Sequence, residues 1–534
     1  MIEEDCLTTI PFAQTGYFSD IICDYLAQDD KIKSFYSNFS TIDGFKKQIE
    51  LKRLSFKLKS RSTLVNSLEK QYQKIEISST TKRNIELLKK ENTFTITTGH
   101  QLNLFTGPLY FLYKIVSTIN LCKQLKREFP DDNFVPIYWM ATEDHDFDEI
   151  NYFNFKGQKI SWNRDSKSGV GRLPTDGLEN VAAIFEKALD GSKNAKYLIH
   201  LFKEAYVNHD NLTDATRYLT NELFSQYGLV IIDGDDTNLK ELFKPFVEDE
   251  LLNQTSFKQV SKTIEKLEKN YGIQVNPREI NLFYLTDAIR ERIVFEHGIY
   301  KVVDTDISWS KEDILKEVNA FPERFSPNVI MRPLYQEIIL PNLCYIGGGG
   351  ELAYWLELKD YFEAVKIPFP ILLLRNSALI ISEKQSNKAE KLNITIDELF
   401  LDQHQLVNKK IKEISKIEID FSKQRNSLEK QFNDLEELAT KTDKSFIGAV
   451  KAQKVKQLKG LNTLEKRLLS AQKRKLKDEV DRIKQLQNQL FPNQSLEERQ
   501  RNFSEMYLLY GDRLIPTLMA MLNPLEGKFS VIQL

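Results

Sequence analysis

At 534 residues the chain is too long for one simple core, so two or three domains are expected. A hydrophobic fraction of 41% is ordinary for a globular protein, and a formal net charge of -2 gives no overall pull toward nucleic acid or membrane. Cys6, Cys23, Cys122 and Cys344 lack paired spacing, which argues against a disulfide framework or a thiolate zinc site and suits the cytoplasm. The acidic start has no long apolar core, so no signal peptide is expected, and no apolar run is long enough to cross a bilayer.

Residues 1–90 read as helical and charged, with Leu51, Leu54, Phe56 and Leu58 interleaved among lysines and arginines. Arg53 and Arg61 are expected on solvated helix faces. Thr93 to Thr98 is β-branched and aromatic, which predicts a strand broken by Gly99. Pro108 suits a first helical turn that Thr106 or Gly107 can cap. Leu109, Leu112, Tyr113, Val116, Ile119 and Leu125 then keep helical spacing. Phe134 to Met140 is almost wholly apolar, as in a strand buried on both faces. Together these form a βαβ unit. Polar residues gather after both strands, at the edge where open α/β sheets bind ligands.

Tyr152 to Trp162 alternates around Gly157 and predicts a hairpin, Lys167 to Gly177 a loop, and helices are expected near 193–207 and 212–227. Leu229 to Ile232 reads as a third buried strand ending in Asp233, Asp235 and Asp236. These acids can bind ribose hydroxyls or a metal, or can cap the helix that follows over 238–270. Leu282–Leu285, Ile293–Glu296 and Tyr300–Val303 predict short strands in an insertion beside the sheet, with His297 in a turn. His200, His209 and His404 receive no role. Val329 to Met331 is expected as a short strand with Arg332 at its end. A helical turn between Pro333 and Pro341 and a strand over Leu343–Ile346 follow. Four glycines then lead into a helix from Glu351 to Leu358. Glycines between strand and helix allow positive φ and close approach of an anion to backbone N–H groups. Pro370 to Leu374 is the last predicted strand.

Beyond Leu379 the composition turns to Lys, Glu, Gln and Leu. Ile414, Phe421, Leu428 and Leu435 fall seven apart, and a second seam runs from Leu458 through Leu468, Val480 and Ile483 to Leu490. A polar break at Thr440 to Ser445 predicts an antiparallel hairpin with arms of about 45 residues, roughly 65 Å long. Such arms pair with each other and with a second subunit. Phe446 to Lys484 carries 12 Lys and Arg against 4 Asp and Glu. Aromatic side chains for base stacking are nearly absent there, so a solvated coiled-coil face is favoured over a nucleic-acid site. The apolar tail from Asn502 is expected to pack back on the core.

Three motifs carry a resemblance: Thr98-Gly-His-Gln with Phe105-Thr-Gly-Pro-Leu-Tyr, Glu143-Asp-His-Asp-Phe-Asp-Glu-Ile, and Ser326-Pro-Asn-Val followed by Arg332-Pro-Leu-Tyr-Gln-Glu and Leu340-Pro-Asn. Over nearly the whole chain the sequence resembles the bacillithiol-biosynthesis cysteine-adding enzymes, the cysteine ligases. The resemblance implies an α/β protein with a Rossmann-like, nucleotidyltransferase-type core and a long antiparallel α-helical coiled coil. Residues 1–90 would be the helical start of the core, and 91–378 the catalytic core with insertions at about 150–228 and 270–325. Residues 379–495 would be a dimerising coiled-coil hairpin, and 496–534 C-terminal helices on the core. The implied reaction attaches cysteine to glucosaminyl-malate through an amide bond, the last step of bacillithiol synthesis. ATP or ADP is the implied cofactor, a homodimer the implied assembly, and neither nucleic acid nor membrane is an expected partner.

Amide formation needs an activated carboxyl and a neutral amine, and a site that steadies transition-state charge. His100, Asp144, His145 and Asp146 are the catalytic candidates, because a carboxylate beside an imidazole suits base work. His100 can instead merely close its turn. Metal binding is not expected, since neighbouring side chains after a strand point apart. Substrate or nucleotide contacts are expected from Thr98, Gly99, Gln101, Asn103, Thr106, Gly107, Tyr110 and Glu143, and from Arg332, Gln336, Asn342, Gly347, Gly348, Gly349, Glu351 and Tyr354. Arg332 can grip a carboxylate or phosphate, or be held in an ion pair with Glu143 or Glu351. The alternatives are a nucleotide-dependent transferase acting on RNA and a coiled-coil scaffold with an inactive core.

Overall fold

A computed structural model describes residues 7–164, 166 and 168–534. Cys6 and Lys167 lie outside the described residues. The described residues divide into two compact units, one within 7–13, 17–379 and 497–532, the other of residues 14–16, 380–496 and 533–534.

The first unit is built on a five-stranded parallel sheet. Its strands are β1 (Thr93–His100), β2 (Asn133–Met140), β3 (Val230–Asp233), and, later in the chain, Asn342–Gly347 and Ile371–Leu374. Helix α1 (Tyr110–Glu128) connects β1 to β2. All eight residues of β1 are buried, threonines included, so the Thr/Phe/Ile alternation of its first half does not mark a solvent face. A second, antiparallel sheet of five strands is inserted between β3 and the strand at Asn342. It contains β4 (Leu282–Leu285), β5 (Arg290–Glu296), β6 (Ile299–Val302), β7 (Ser308–Trp309) and β8 (Phe325–Pro327). We number the two remaining parallel strands β9 (Asn342–Gly347) and β10 (Ile371–Leu374); the parallel sheet then runs β10-β9-β1-β2-β3.

The register brings the strand ends to one edge. His100 lies opposite Met140, Met140 opposite Asp233, and Thr98 opposite Ile346. From β1 the chain moves one way to β2 and β3, and later the other way to β9 and β10. The reversal between β1 and β9 is the switch point at which open α/β sheets leave a crevice.

Several local expectations need correction. Arg61 is 2% exposed and donates to the carbonyls of Leu88, Thr93 and Glu91, so it ties helix to strand rather than meeting solvent. Arg53 is half-exposed and pairs with Asp132. Leu51, Leu54 and Leu58 are exposed. Val329–Met331 is a turn, not a strand: the Asn328 side chain accepts from the amides of Ile330 and Met331, an Asx turn that competes with pairing. Arg332 therefore opens a helix, α2 (Arg332–Ile339), rather than ending a strand.

In the second unit, Ser422–Ala439 and Lys444–Lys475 form an antiparallel helical hairpin. Leu428, Phe432 and Ala439 pack with Ile447 and Val450, while Arg425 reaches Asn462 and Glu465 across the pair. Asp443 caps the second helix. The arms are not continuous over 45 residues. Between Ile414 and Ser422 the first arm breaks, because Ser415 and Asp420 bond neighbouring backbone groups and so offer a non-helical alternative. The second arm leaves helical geometry at Leu476. No helix among the described residues is long and apolar enough to cross a membrane.

Candidate active site

A cavity of about 670 Å³ opens at the switch point. Gly99, His100, Gln101, Tyr110, Glu143, Asp144, His145, Arg332, Glu351 and Tyr354 all line it, so the segments after β1 and β2, α2 and the helix after β9 do meet in one space. The inserted sheet closes the opposite wall with Phe283, Arg290 and Arg292, and the chain before it adds Asn276 and Arg278.

The parallel-sheet wall is a bonded network. Lys114, on α1, donates to the Gly99 carbonyl at 2.7 Å and pairs with Glu351 at 2.7 Å. Glu351 also accepts from the Tyr345 hydroxyl and from the Gly348 amide. Burial opposes its charge, but Lys114, Tyr345 and Gly348 together hold its carboxyl below the usual range. Glu143 pairs with Lys240, which is itself buried and donates to the Phe325 carbonyl. Arg332 lies between the rings of Trp139 and Tyr345, and Gln336 accepts from its Nη1. It is paired with neither Glu143 nor Glu351, and its Nη2 is buried with no partner. Gly99 makes this packing possible, since a Cβ there would sit 3.2 Å from the Tyr345 hydroxyl.

His100 is held neutral. Burial first, and Lys114 second, push its imidazole down to about 3. It wedges between Tyr110 and Phe111, and its Nε2 has no partner. It is no cation for a phosphate. Asp144 accepts from Gln101 at 2.9 Å and from the His145 amide at 2.8 Å. Among the described residues it is the cavity's one carboxylate without a lysine or arginine in ion-pair contact. His145 does not hydrogen-bond Asp144, whose carboxylate is 3.8 Å from Nδ1. Its Nδ1 meets Arg290 Nη1 at 2.7 Å instead.

Other candidates fall outside the cavity lining. Asp146 is exposed beside it. Thr98 donates to the Ile346 carbonyl, tying β1 to β9. Asn342 and Gln336 both donate to Glu337, which pairs with the buried Lys52, so they support α2 from behind. Asn103 donates to the Glu149 carbonyl. Thr106 and Gly107 do not cap α1: they sit at positive φ in a turn whose carbonyls at Phe105 and Gly107 accept from Asn502. The glycine run is also corrected. Gly347, Gly348 and Gly349 have no positive φ, and the Gly348 amide is already taken by Glu351, so this turn does not cradle an anion. Glycine at 347 is steric, since a Cβ would meet Tyr345, Glu351 and Leu352 at about 3 Å. Of the acids after β3, Asp236 caps the next helix, Asp235 pairs with Arg172 and Asp233 accepts from Thr142.

Sequence reading missed Lys114, Arg278, Arg290 and Arg292. Lys114 was visible as one cation in the apolar stripe of α1. Arg290 and Arg292 stand two apart on a strand, hence on one face, but nothing in the sequence says that this face meets the parallel sheet.

A parallel Rossmann-like sheet with a charged cavity at its switch point, joined to a coiled-coil unit, defines a ligand-binding α/β protein with a helical extension. Residues 6–376 match the family described as "Bacillithiol biosynthesis BshC, N-terminal Rossmann-like domain", and residues 378–534 its "C-terminal coiled-coil domain". The chain belongs to this BshC family. A relative in Flavobacterium johnsoniae, named "Putative cysteine ligase BshC", is 59% identical over 528 residues, covering 99% of each chain. Relatives of the same name in Cytophaga hutchinsonii and Bacillus cytotoxicus are 38% and 26% identical; the first alignment covers 95% of each chain, the second 96% of this chain and 98% of the relative.

Proposed function

We propose that the protein is a cysteine ligase that joins the carboxyl of cysteine to the amine of glucosaminyl-malate by an amide bond, as the last step of bacillithiol synthesis in the cytoplasm. Family membership and the printed names of the relatives support the reaction class. The single observation that carries the substrate reading is the charge of the cavity. Five cationic side chains, Lys114, Arg278, Arg290, Arg292 and Arg332, line it with three carboxylates, of which Glu143 and Glu351 are already paired. The surplus suits a substrate bearing the two carboxylates of malate. Arg278 and Arg292, and the free Nη2 of Arg332, offer fork-shaped donors to them.

In this reading Asp144 receives the proton that the attacking amine sheds as the C–N bond forms. Gln101 and the His145 amide keep its carboxylate oriented toward that task. ATP would supply activation of the cysteine carboxyl. The Gly347–Gly349 turn does not fit its phosphates, being closed by Glu351; the cavity arginines are the residues that would meet them. The three described cysteines are free thiols, which suits a reducing compartment. A homodimer through the coiled coil completes the proposal, because Leu435, Leu438, Val455 and Leu464 leave apolar seam exposed on the single hairpin. Val455→Lys with Leu464→Lys should bring the mass in light scattering to that of a monomer; an unchanged mass with intact helicity removes the dimer.

The test of function is incubation with cysteine and glucosaminyl-malate, with and without ATP, followed by mass spectrometry. The expected product weighs the sum of the two substrates less one water. Its absence under both conditions, from protein with a cooperative melt, overturns the reading.

A further inference from the structure

The pairing of His145 with Arg290 fixes what His145 can do. Arg290 comes from β5 of the inserted sheet and is 7% exposed. Its guanidinium stacks 4.0 Å from the Phe283 ring centroid, and its Nε donates to the Ser326 hydroxyl. These two contacts set the plane in which Nη1 reaches His145 Nδ1 at 2.7 Å. A guanidinium has five donors and no acceptor. At that distance the imidazole nitrogen must therefore be the acceptor. A neutral ring whose Nδ1 carries the lone pair carries its proton on Nε2. The carboxylate that would select the opposite tautomer, Asp144, stands 3.8 Å from Nδ1 and spends its oxygens on Gln101 and the 145 and 146 amides.

We propose that Arg290 is a positioning residue that locks His145 into the Nε2–H tautomer, making His145 a hydrogen-bond donor to the reacting carbonyl and not a base. This rests on the reading of the cavity as the amide-forming site. When the amine nitrogen forms its bond to the carboxyl carbon, the carbonyl π pair moves onto oxygen. The Nε2–H donates to that oxygen and keeps its proton throughout. The amine proton goes to Asp144, and the activated oxygen leaves with its electron pair as the carbonyl re-forms. Division of labour follows: one residue accepts a proton and its neighbour steadies charge, although both stand in a motif that reads as a base pair.

Two measurements test this on the full-length protein. Long-range proton–nitrogen spectra of histidine-labelled protein, with the His145 signals assigned by their loss in His145→Gln, should show the Nε2–H tautomer at neutral pH. Arg290→Lys, which keeps a donor, should preserve it, and Arg290→Met should release the ring into a mixture. A His145 ring protonated on Nδ1 in the unaltered protein overturns the proposal, and needs neither turnover nor a folded Arg290 variant. In cysteine-adding assays, His145→Gln places an amide N–H near Nε2 and should stay within about tenfold in kcat, against a loss of about 10²-fold for His145→Ala, the range for one preorganised donor. Equal loss in both variants overturns the donor role. If the protein makes no amide product, the spectra still decide the tautomer, so the two readings fail separately.

Discussion

The two walls of the cavity are built on opposite electrostatic plans. On the parallel-sheet wall each buried charge but one is matched at short range: Lys114 to Glu351, Lys240 to Glu143, with Arg332 clamped by Gln336 and two aromatic rings. On the opposite wall, Arg292 of the inserted sheet and Arg278 just before it are exposed and, among the described residues, form no ion pair with a carboxylate. A matched wall keeps its shape whether or not ligand is present, because removing either partner strands the other in low dielectric. An unmatched wall stays hydrated until an anion arrives, and gives its energy to binding. The lesson is that shape and affinity are assigned to different elements. Substitutions on the first wall should cost stability, and on the second, affinity.

The largest effect should come from the matched wall. Lys114→Met leaves Glu351 without its cation and the Gly99 carbonyl without its donor. The loss should reach about 3 kcal/mol or more, a fall in Tm of about 3 °C or more by calorimetry. Adding Glu351→Gln removes the stranded charge and should recover part of it. If the single variant melts like the unaltered protein, the wall is not held by this pair. Asp144→Asn lies on the same wall but outside its pairs. It should lower kcat by about 10²-fold, the contribution of a lost base, with Tm nearly unchanged. Full activity in that variant removes Asp144 from the chemistry while leaving the fold and the family untouched.

The second wall should answer differently. Arg278→Ala and Arg292→Ala should each raise KM for glucosaminyl-malate by about tenfold, the worth of one charge-assisted hydrogen bond. Neither should move kcat or Tm appreciably. A fall in kcat with KM constant would place these arginines in the transition state instead, and so erase the distinction between the walls.

The same contrast explains what the sequence made legible. β1 is β-branched and aromatic, β2 and β9 are mostly apolar, and each ends in a polar cluster; the rule that parallel strands open on one edge was enough to gather His100, Asp144 and Glu351, whereas Arg332 reaches the same cavity from the start of a helix. The inserted strands were recognisable one by one from Leu282 to Val302, but their placement across the cavity depends on long-range packing that carries no local pattern. Thus Arg290 passed unnoticed although it decides the state of His145. The glycine run misled for a related reason. A Gly-rich turn into a helix looks like an anion cradle, but Glu351, three residues on, folds back onto the Gly348 amide and fills it. Likewise, Val329–Met331 has strand-like composition, and only the Asn328 side chain diverts it into a turn.

The smallest expected effect concerns His100, which belongs to the matched wall without being part of any charge pair. Burial and Lys114 put its folded-state pKa at about 3, against 6.5 for an ordinary imidazole. Below about pH 6.5 the unfolded chain binds a proton that the folded one refuses, so stability rises with pH through this window. The contribution is fully present above about pH 6.5 and is lost as pH falls toward 3. By pH 5 about 2 kcal/mol of it has been lost. Asp233 and Glu357, which burial pushes up to about 6 and about 7, act with the opposite sign: the stability tied to their neutral forms is present at low pH and lost as pH rises through those values. The net slope of the unaltered protein therefore mixes both. Comparison with His100→Phe, which keeps a ring between Tyr110 and Phe111 but cannot titrate, isolates the histidine. Its Tm should fall less between pH 7.5 and pH 5 than that of the unaltered protein, by about 1–2 °C, whatever its absolute value at pH 7.5. Parallel Tm curves for the two proteins would mean that the imidazole takes up its proton without unfolding, and His100 would then return to the list of groups able to carry charge in the cavity.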